Sequence, residues 1–478
     1  MTIEMSDQYA SYLHDESRLT GEARSISFPE TEPEAIEIVR SCYERQVPIT
    51  VQGSRTGLCG GAVPCGGHIL NLSRMAAPLS LEKEGDTFLL TVQPGLMLSA
   101  LGNSLRARRF EWAFDCVDSG LEKEFKSGPE MFWPPDPSEL TASIGGIVST
   151  NGRGPGAFKY GSACAHVHSV RLITADGNIA EAVNQPDNPL FSAVIGGEGM
   201  FGAITAVTLR LSPKPPEMWG ICFFFNDENS AAAFIDKAKS LNPTSLAALD
   251  FLDGASMKMV DELKKVAAKL RELPDTPENA AGAVYMEIHA DDEAQLEETA
   301  GQLMEAAEEL GSDMDSSWSL AGDEMEKLRL FRHAVPEALN AALDRIRQKN
   351  PEIHKTAGDF TWPESSFGQT VQIFRQDISQ SGLDGFIFGH STDNHLHVNL
   401  LPGSQGEKEK ALSLMEKWLK ISREQGGSLF REHGVGKLKK KLYAAAQPPE
   451  EIAAVVRLKE TFDPSWLWNP GNKIDRGE

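Results

Sequence analysis

The chain has 478 residues, 41% hydrophobic and 24% charged, the composition of a soluble globular protein with room for two or three cored domains. Its 69 acidic and 46 basic residues leave a formal charge of -23, a field that repels phosphate backbones and argues against a nucleic-acid partner. No apolar run reaches the ~18 residues of a bilayer span, and the polar stretch from Met1 to Asp15 lacks a signal-peptide core, so a cytoplasmic protein is expected, at most peripheral at the inner face of a membrane.

The first helix is expected from Thr31, where Thr31 and Glu34 have capping-box spacing and Pro33 suits the first turn. Ile36, Val39 and Tyr43 would form its apolar face. Val47 to Gln52 reads as a strand, followed by a glycine-rich segment, Gly53-Ser-Arg-Thr-Gly-Leu-Cys-Gly-Gly-Ala-Val-Pro-Cys-Gly-Gly67, and a second strand from His68 to Leu72. Dinucleotide and Walker loops run strand, loop, helix, and this one does not. Two readings stand: a glycine-rich hairpin, or a nest of backbone N–H groups around a pyrophosphate. Two more glycine clusters, Ser143 to Gly154 and Ile195 to Gly202, favour backbone packed closely on a large phosphorylated ligand. Before them, Leu121 to Met131 reads as a charged surface insertion and Trp133-Pro-Pro-Asp-Pro137 as rigid and extended.

Ser212-Pro-Lys-Pro-Pro216 marks a domain boundary. The expected division is 1–214, 215–425 and 426–478. Beyond the boundary, strands (Trp219 to Phe225, Ala283 to His289) alternate with helices (Glu293 to Leu310, Leu328 to Gln348, 406–425), which predicts an α+β domain with an antiparallel sheet. The six cysteines, Cys42, Cys59, Cys65, Cys116, Cys164 and Cys222, form no Cys-x-x-Cys pair, so free thiols are expected rather than a cluster.

The most informative stretch is Phe388-Gly-His-Ser-Thr-Asp-Asn-His-Leu-His-Val-Asn-Leu400, which holds three of the chain's eleven histidines. His395, His397 and Asn399 alternate with Leu396, Val398 and Leu400, a period of two that predicts a strand with one imidazole-rich face. Further on, Arg431-Glu-His-Gly-Val-Gly-Lys437 adds a carboxylate and another imidazole. Two imidazoles and a carboxylate suit a catalytic divalent ion, with zinc, iron and manganese all compatible.

Together these motifs resemble the FAD-linked oxidases of the vanillyl-alcohol oxidase superfamily, in the group of D-lactate dehydrogenase, the D subunit of glycolate oxidase and D-2-hydroxyglutarate dehydrogenase. The resemblance runs from about residue 28 to the end. It is carried by the Gln52–Gly61 loop, by Pro135-Asp136-Pro137 with Ser143-Ile-Gly-Gly146 and Tyr160-Gly161, by Gly196-Gly-Glu-Gly199 with Gly202-Ala-Ile204, and by Asn469-Pro-Gly-Asn-Lys473. It implies an α+β fold: a two-subdomain FAD-binding domain, a substrate domain with an antiparallel sheet, and a C-terminal segment that returns to the FAD domain. The FAD contacts it implies are Gln52, Gly53, Ser54, Arg55, Thr56, Gly57, Pro135, Asp136, Ser143, Gly145, Gly146, Thr150, Asn151, Gly199, Ile204 and Asn469. Thr56-Gly57 stands where covalent relatives carry histidine, which implies noncovalent FAD; His68 is read as structural.

The metal motif of the family matches at Gly389-His390, Asp393, Leu396, His397 and Asn399. Asn394 replaces a glycine, and His395 replaces an asparagine. His390, His397 and Glu432 are the implied ligands, zinc the favoured ion. His390 and His397 are seven apart, so a turn or bulge at Ser391–Asn394 has to bring them together. His395 is either a further contact to the ion or a ring bonded to nearby backbone.

The activity implied is oxidation of a D-2-hydroxy acid, D-lactate or glycolate favoured. His433 is the candidate base, Asn399 orients the substrate, and Arg332 pairs with its carboxylate. Lys355 is a second cation, further upstream of Asp359 than the family places it. Electrons leave to an iron–sulfur subunit, an electron-transfer flavoprotein or a quinone, and a homo- or hetero-oligomer is compatible. The alternatives are an ether-lipid (alkylglycerone phosphate) synthase-like enzyme on the same scaffold and a non-catalytic flavoprotein subunit.

Overall fold

The computed structural model describes residues 2–112, 118–353, 356–391, 393–427, 430 and 432–477, with the side chain of residue 323 left aside. The chain divides into two units. One comprises 1–154, 161–214 and 432–478; the other comprises 155–160 and 215–431.

In the first unit, Ile49–Gln52 and His68–Asn71 are central to a four-stranded sheet with Ser25–Ser27 and Ile3–Glu4. Ile49–Gln52 pairs parallel to His68–Asn71, so the glycine-rich segment is a crossing connection and the hairpin reading is overturned. The helix Glu32–Glu44 covers this sheet. Thr31 Oγ1 accepts from the Glu34 N–H (3.4 Å), but the Glu34 carboxylate accepts from the Glu30 N–H (2.9 Å), so only half of the expected box forms. The buried face is Ala35, Ile38, Val39 and Cys42; Ile36 and Tyr43 flank it half-buried, one step around from the expected stripe.

A second, five-stranded antiparallel sheet runs in the order Pro78–Glu84, Thr87–Val92, Ala203–Arg210, Val167–Ile173, Ile179–Val183. Ile173 and Ala203 from this sheet share a core with Val39, Ile49, Leu70 and Trp468, which joins the two subdomains. Trp468 is fully buried, and its neighbours bond to Ile49 on both sides (Ile49 N–H to Leu467 O, 2.7 Å; Asn469 N–H to Ile49 O, 2.8 Å), so the C-terminal segment closes this unit. Leu121 to Met131 is not a plain surface insertion. Most of it is the helix Ser119–Ser127, capped by Asp118 and anchored by Phe125, which is buried against Phe88.

The second unit is built on a seven-stranded antiparallel sheet, ordered Trp318–Ala321, Glu217–Phe225, Gly282–Ala290, Leu246–Asp253, Gly385–His390, His395–Leu400, Thr356–Thr361. Helices cover both faces, which is why its central strands are buried at nearly every position. On one face Phe224, Ala248, Leu252 and Tyr285 pack with Leu328, Phe331 and Val335 of the helix Met325–Arg347. On the other, Phe223 and Phe225 pack on Phe234 of the helix Glu228–Leu241. Five cysteines, Cys42, Cys59, Cys65, Cys164 and Cys222, are free thiols; Cys116 lies outside the described residues. Among the described residues, no helix is long and apolar enough to cross a membrane.

Candidate active site

The histidine stretch folds as a hairpin of Gly385–His390 with His395–Leu400. Its register sets His390 opposite His395 and Phe388 opposite His397. The turn expected at Ser391–Asn394 is the hairpin loop itself, so the odd spacing of His390 and His397 is absorbed by a chain reversal rather than by a bulge. Asn394 has φ 52°, the left-handed region where glycine is cheapest and asparagine the next best, so an amide can replace the glycine there. Its Nδ2 donates to Trp362 O (3.0 Å) and Ser365 O (2.6 Å), while its Oδ1 accepts from Lys239 Nζ (2.8 Å).

Opposite residues of an antiparallel pair, and residues two apart in a strand, share a face. His390, His395 and His397 therefore lie together, all buried, with ring centres 5.0–5.8 Å apart. Asn399 continues the same strand face and is also buried.

Two aspartates fix the outer imidazoles. Asp250, opposite His390 on Leu246–Asp253, accepts from His390 Nδ1 at 2.8 Å. Asp359, opposite His397 on Thr356–Thr361, accepts from His397 Nδ1 at 2.9 Å. A carboxylate acceptor at Nδ1 puts the proton there and leaves the lone pair on Nε2, the arrangement that carboxylate–histidine pairs use at metal centres. The donor set thus fits a divalent ion held through Nε2 of His390 and His397. Burial raises the Asp250 pKa, but His390 and Arg332 beside it outweigh that and hold its carboxyl below the usual carboxylate range.

Arg332, in the helix Met325–Arg347, donates through Nε to Asp250 Oδ2 (2.6 Å), and its Nη2 lies 3.4 Å from His390 Nε2. One edge of its guanidinium is therefore committed to Asp250. Lys355 lies outside the described residues. In the same unit, Glu287 accepts from Tyr285 OH, His289 Nε2 (2.9 Å) and Arg329 Nη2 (2.6 Å), and His289 Nδ1 meets Tyr160 OH at 2.9 Å. Tyr160, from the second FAD-type motif, thereby groups with the sheet of the second unit rather than with the first.

Glu432 and His433 belong to the first unit. The residues that follow them are held firmly. Glu198 accepts from Val435 N–H (2.8 Å) and Gly436 N–H (2.6 Å), and Cys59 Sγ donates to Gly434 O (3.3 Å). Gly436 has φ 52°, and a Cβ there would collide with Cys59 O.

The glycine clusters of this unit do different jobs. In the first, the backbone N–H groups of Ser54, Arg55, Thr56, Gly57 and Leu58 donate to no acceptor among the described residues. Successive undonated amides of this kind could hold an anion such as a diphosphate. Gly57 adjoins open space, whereas Gly53 is packed on Ser143 Oγ. Gln52 is a brace, donating to Tyr12 O and Ala62 O (2.8 Å each). The Arg55 guanidinium stacks on Tyr12 at 4.3 Å and donates to Ser11 O, so it serves the N-terminal segment.

The second cluster is a helix, Ile144–Thr150, rather than a turn; Ser143 caps it, and a Cβ on Gly145 would approach Pro94 within 2.6 Å. Thr150 Oγ1 donates to Gly146 O, and Asn151 caps the far end at φ 52°. Pro135 is buried and Asp136 half-buried in the extended segment before this helix; Ile204 is buried at the start of its strand. In the third cluster Gly196 and Glu198 donate to Val148 O and Ser149 O of the second cluster and Gly197 to Val194 O, so these amides pack chain on chain. Gly199 touches Asn469, whose Oδ1 accepts from Val51 N–H (2.7 Å) and whose Nδ2 donates to Glu198 O (2.8 Å).

Sequence reasoning missed Asp250 and Glu198 as positioning groups. Asp250 is 140 positions from His390, and only the sheet register joins them. Glu198 was visible inside Gly-Glu-Gly, where a lone carboxylate among glycines is itself a signal.

Comparison with known proteins agrees with this architecture. Residues 23–120 and 125–182 match the family described as FAD binding domain, and residues 215–473 match FAD linked oxidases, C-terminal domain. The chain is 27% identical over 474 residues to a D-lactate dehydrogenase of Anaerostipes hadrus, covering 96% of this chain and 92% of that one. It is 26% identical over 458 residues to the glycolate oxidase subunit GlcD of Bacillus subtilis, covering 94% and 88%. Among solved structures, p-cresol methylhydroxylase with substrate bound matches with a TM-score of 0.72 at 15% identity, over 99% of this chain and 94% of that one, which establishes the shared two-domain fold. With an FAD binding domain followed by the oxidase C-terminal domain, the chain belongs to the FAD linked oxidases and is an FAD-dependent oxidoreductase.

Proposed function

We propose that the protein oxidises a D-2-hydroxy acid, D-lactate or glycolate foremost, to the 2-oxo acid with the help of noncovalent FAD and a divalent metal, zinc favoured over iron or manganese. The observation that carries this reading is the pair of buried imidazoles, His390 and His397, each donating Nδ1–H to its own buried aspartate. Such pairs orient metal ligands, and their loss costs metal affinity. The names of the relatives support the substrate class.

His390 and His397 would hold the ion through Nε2, with Glu432 completing the set. When bound, the ion supplies Lewis acidity toward a hydroxyl and the flavin supplies a hydride acceptor. The chain's own residues do the rest. His433 takes the hydroxyl proton on a ring nitrogen. Arg332 pairs with the substrate carboxylate, whose planar geometry its guanidinium matches. Asn399 and Lys355 complete the orientation. Asp250 and Asp359 act through their partners by fixing tautomer and ring direction. The reduced protein then passes electrons to a separate acceptor, an iron–sulfur subunit, an electron-transfer flavoprotein or a quinone, in the cytoplasm or at the inner face of the membrane.

Anaerobic titration of the yellow protein with a panel of D- and L-hydroxy acids tests this reading. Bleaching of the flavin by a D-acid or glycolate is expected. A flavin that no hydroxy acid bleaches would remove the assignment and leave a flavoprotein of other chemistry.

A further inference from the structure

The position that departs most from the family motif is 395, an imidazole in place of an amide. The hairpin puts it between the two histidines already assigned. His395 is directly opposite His390 and two residues before His397, so all three rings share a face. Their centres are 5.6 Å (390 to 395), 5.0 Å (395 to 397) and 5.8 Å (390 to 397) apart. Three imidazoles on one tetrahedral zinc, with Zn–N of about 2.0–2.1 Å, have ring centres roughly 5 Å apart. A ligand atom of His395 lies within 4.8 Å of ligand atoms of His397 and Asp359 in one buried group, and within 4.8 Å of a ligand atom of His390 in a second group, so His395 is the ring that links the two outer imidazoles.

We propose that His395 is a third imidazole ligand of the ion assigned above, so that this chain holds its metal in a nitrogen-rich set that selects zinc over manganese. The inference rests on the metal reading of the proposed function and adds to it a ligand and a preference. The selectivity follows from ligand chemistry. Imidazole nitrogen suits zinc, whereas the amide oxygen of an asparagine suits manganese and magnesium as well. Asp359 keeps its role behind His397, whose Nδ1 it holds.

The test uses the FAD-loaded protein, stripped with a chelator and titrated separately with Zn2+ and Mn2+ against a chromophoric competitor. His395→Asn, which restores the residue usual in the family, is expected to weaken zinc binding roughly 10–100-fold. Manganese binding is expected to move by less than about threefold. Flavin absorbance of the variant reports that the fold survives. Zinc X-ray absorption of the wild-type protein needs no variant and is expected to count three imidazoles. Two imidazoles, or a zinc affinity in His395→Asn within about twofold of wild type, overturns the third ligand and leaves the metal reading standing. Wild-type protein that takes up neither ion overturns both.

Discussion

Replacing Asp250 by asparagine removes one buried charge and asks much of what remains. Asp250 is 1% exposed and accepts two hydrogen bonds, from His390 Nδ1 and from Arg332 Nε. Both partners are donors. Asparagine has one acceptor atom, so its NH2 must face either the guanidinium or the imidazole. If Arg332 keeps the carbonyl, His390 satisfies the amide by accepting at Nδ1, which moves its proton to Nε2 and removes the lone pair a metal needs. If His390 keeps the carbonyl, a guanidinium only 9% exposed faces an NH2 donor in place of an acceptor, and in either orientation it loses its counter-charge. Breaking a buried pair on one side costs about 3–5 kcal/mol. With a urea m-value of about 3 kcal/mol/M for a unit of this size, the unfolding midpoint of the second unit should fall by about 1–1.7 M. Metal affinity should fall roughly 10–100-fold, as for other groups behind a metal-binding histidine. Urea unfolding followed by tryptophan fluorescence, with metal analysis of the same preparations, measures both. A variant with the wild-type midpoint and full metal content would refute the claim that Asp250 sets the His390 tautomer.

Three further outcomes follow from the same contacts. Burial raises the Glu287 pKa, but Arg329 and His289 outweigh it and hold the carboxyl well below its ordinary 4.5. The stability it contributes is therefore complete above that value and is lost as pH falls through the lowered folded value, so Glu287→Gln should flatten the acid side of a stability–pH profile; an unchanged profile would count against the network. Glu198→Ala removes two charged hydrogen bonds to the Val435–Gly436 backbone and should destabilise the first unit by about 2–4 kcal/mol and slow turnover; wild-type urea midpoints and steady-state rates would show that the Glu432–His433 segment holds its place without it. Arg332→Ala should raise KM and lower kcat for the hydroxy acid, and unchanged kinetics would clear it of carboxylate binding.

What the sequence made legible, and what it did not, has a physical division. The period of two around His395 and the proline run at Pro213–Pro216 are local signals, and a strand and a division between units lie there. Asn394 looked like a departure from a motif, yet its φ of 52° explains how the backbone accommodates it. Pairing across distance was hidden. Nothing in Ile49–Gln52 or His68–Asn71 announces a parallel ladder, and a glycine-rich link suggests a hairpin as readily as a crossing. Asp250 sits in an apolar run, where only the register to His390 reveals that its carboxylate has a charged partner. Glycine density alone overstated the ligand contact. In the third cluster Gly196, Gly197 and Glu198 donate to chain carbonyls, whereas the run of amides from Ser54 to Leu58 does not.

The central claim is that a metal at His390 and His397 is required for the acid to reduce the flavin. Its most direct test is the rate of anaerobic flavin reduction by the best hydroxy acid, before and after the ion is stripped and then restored. The stripped protein should keep its FAD, stop bleaching, and recover on addition of zinc. Bleaching at an undiminished rate in metal-free protein would contradict the account.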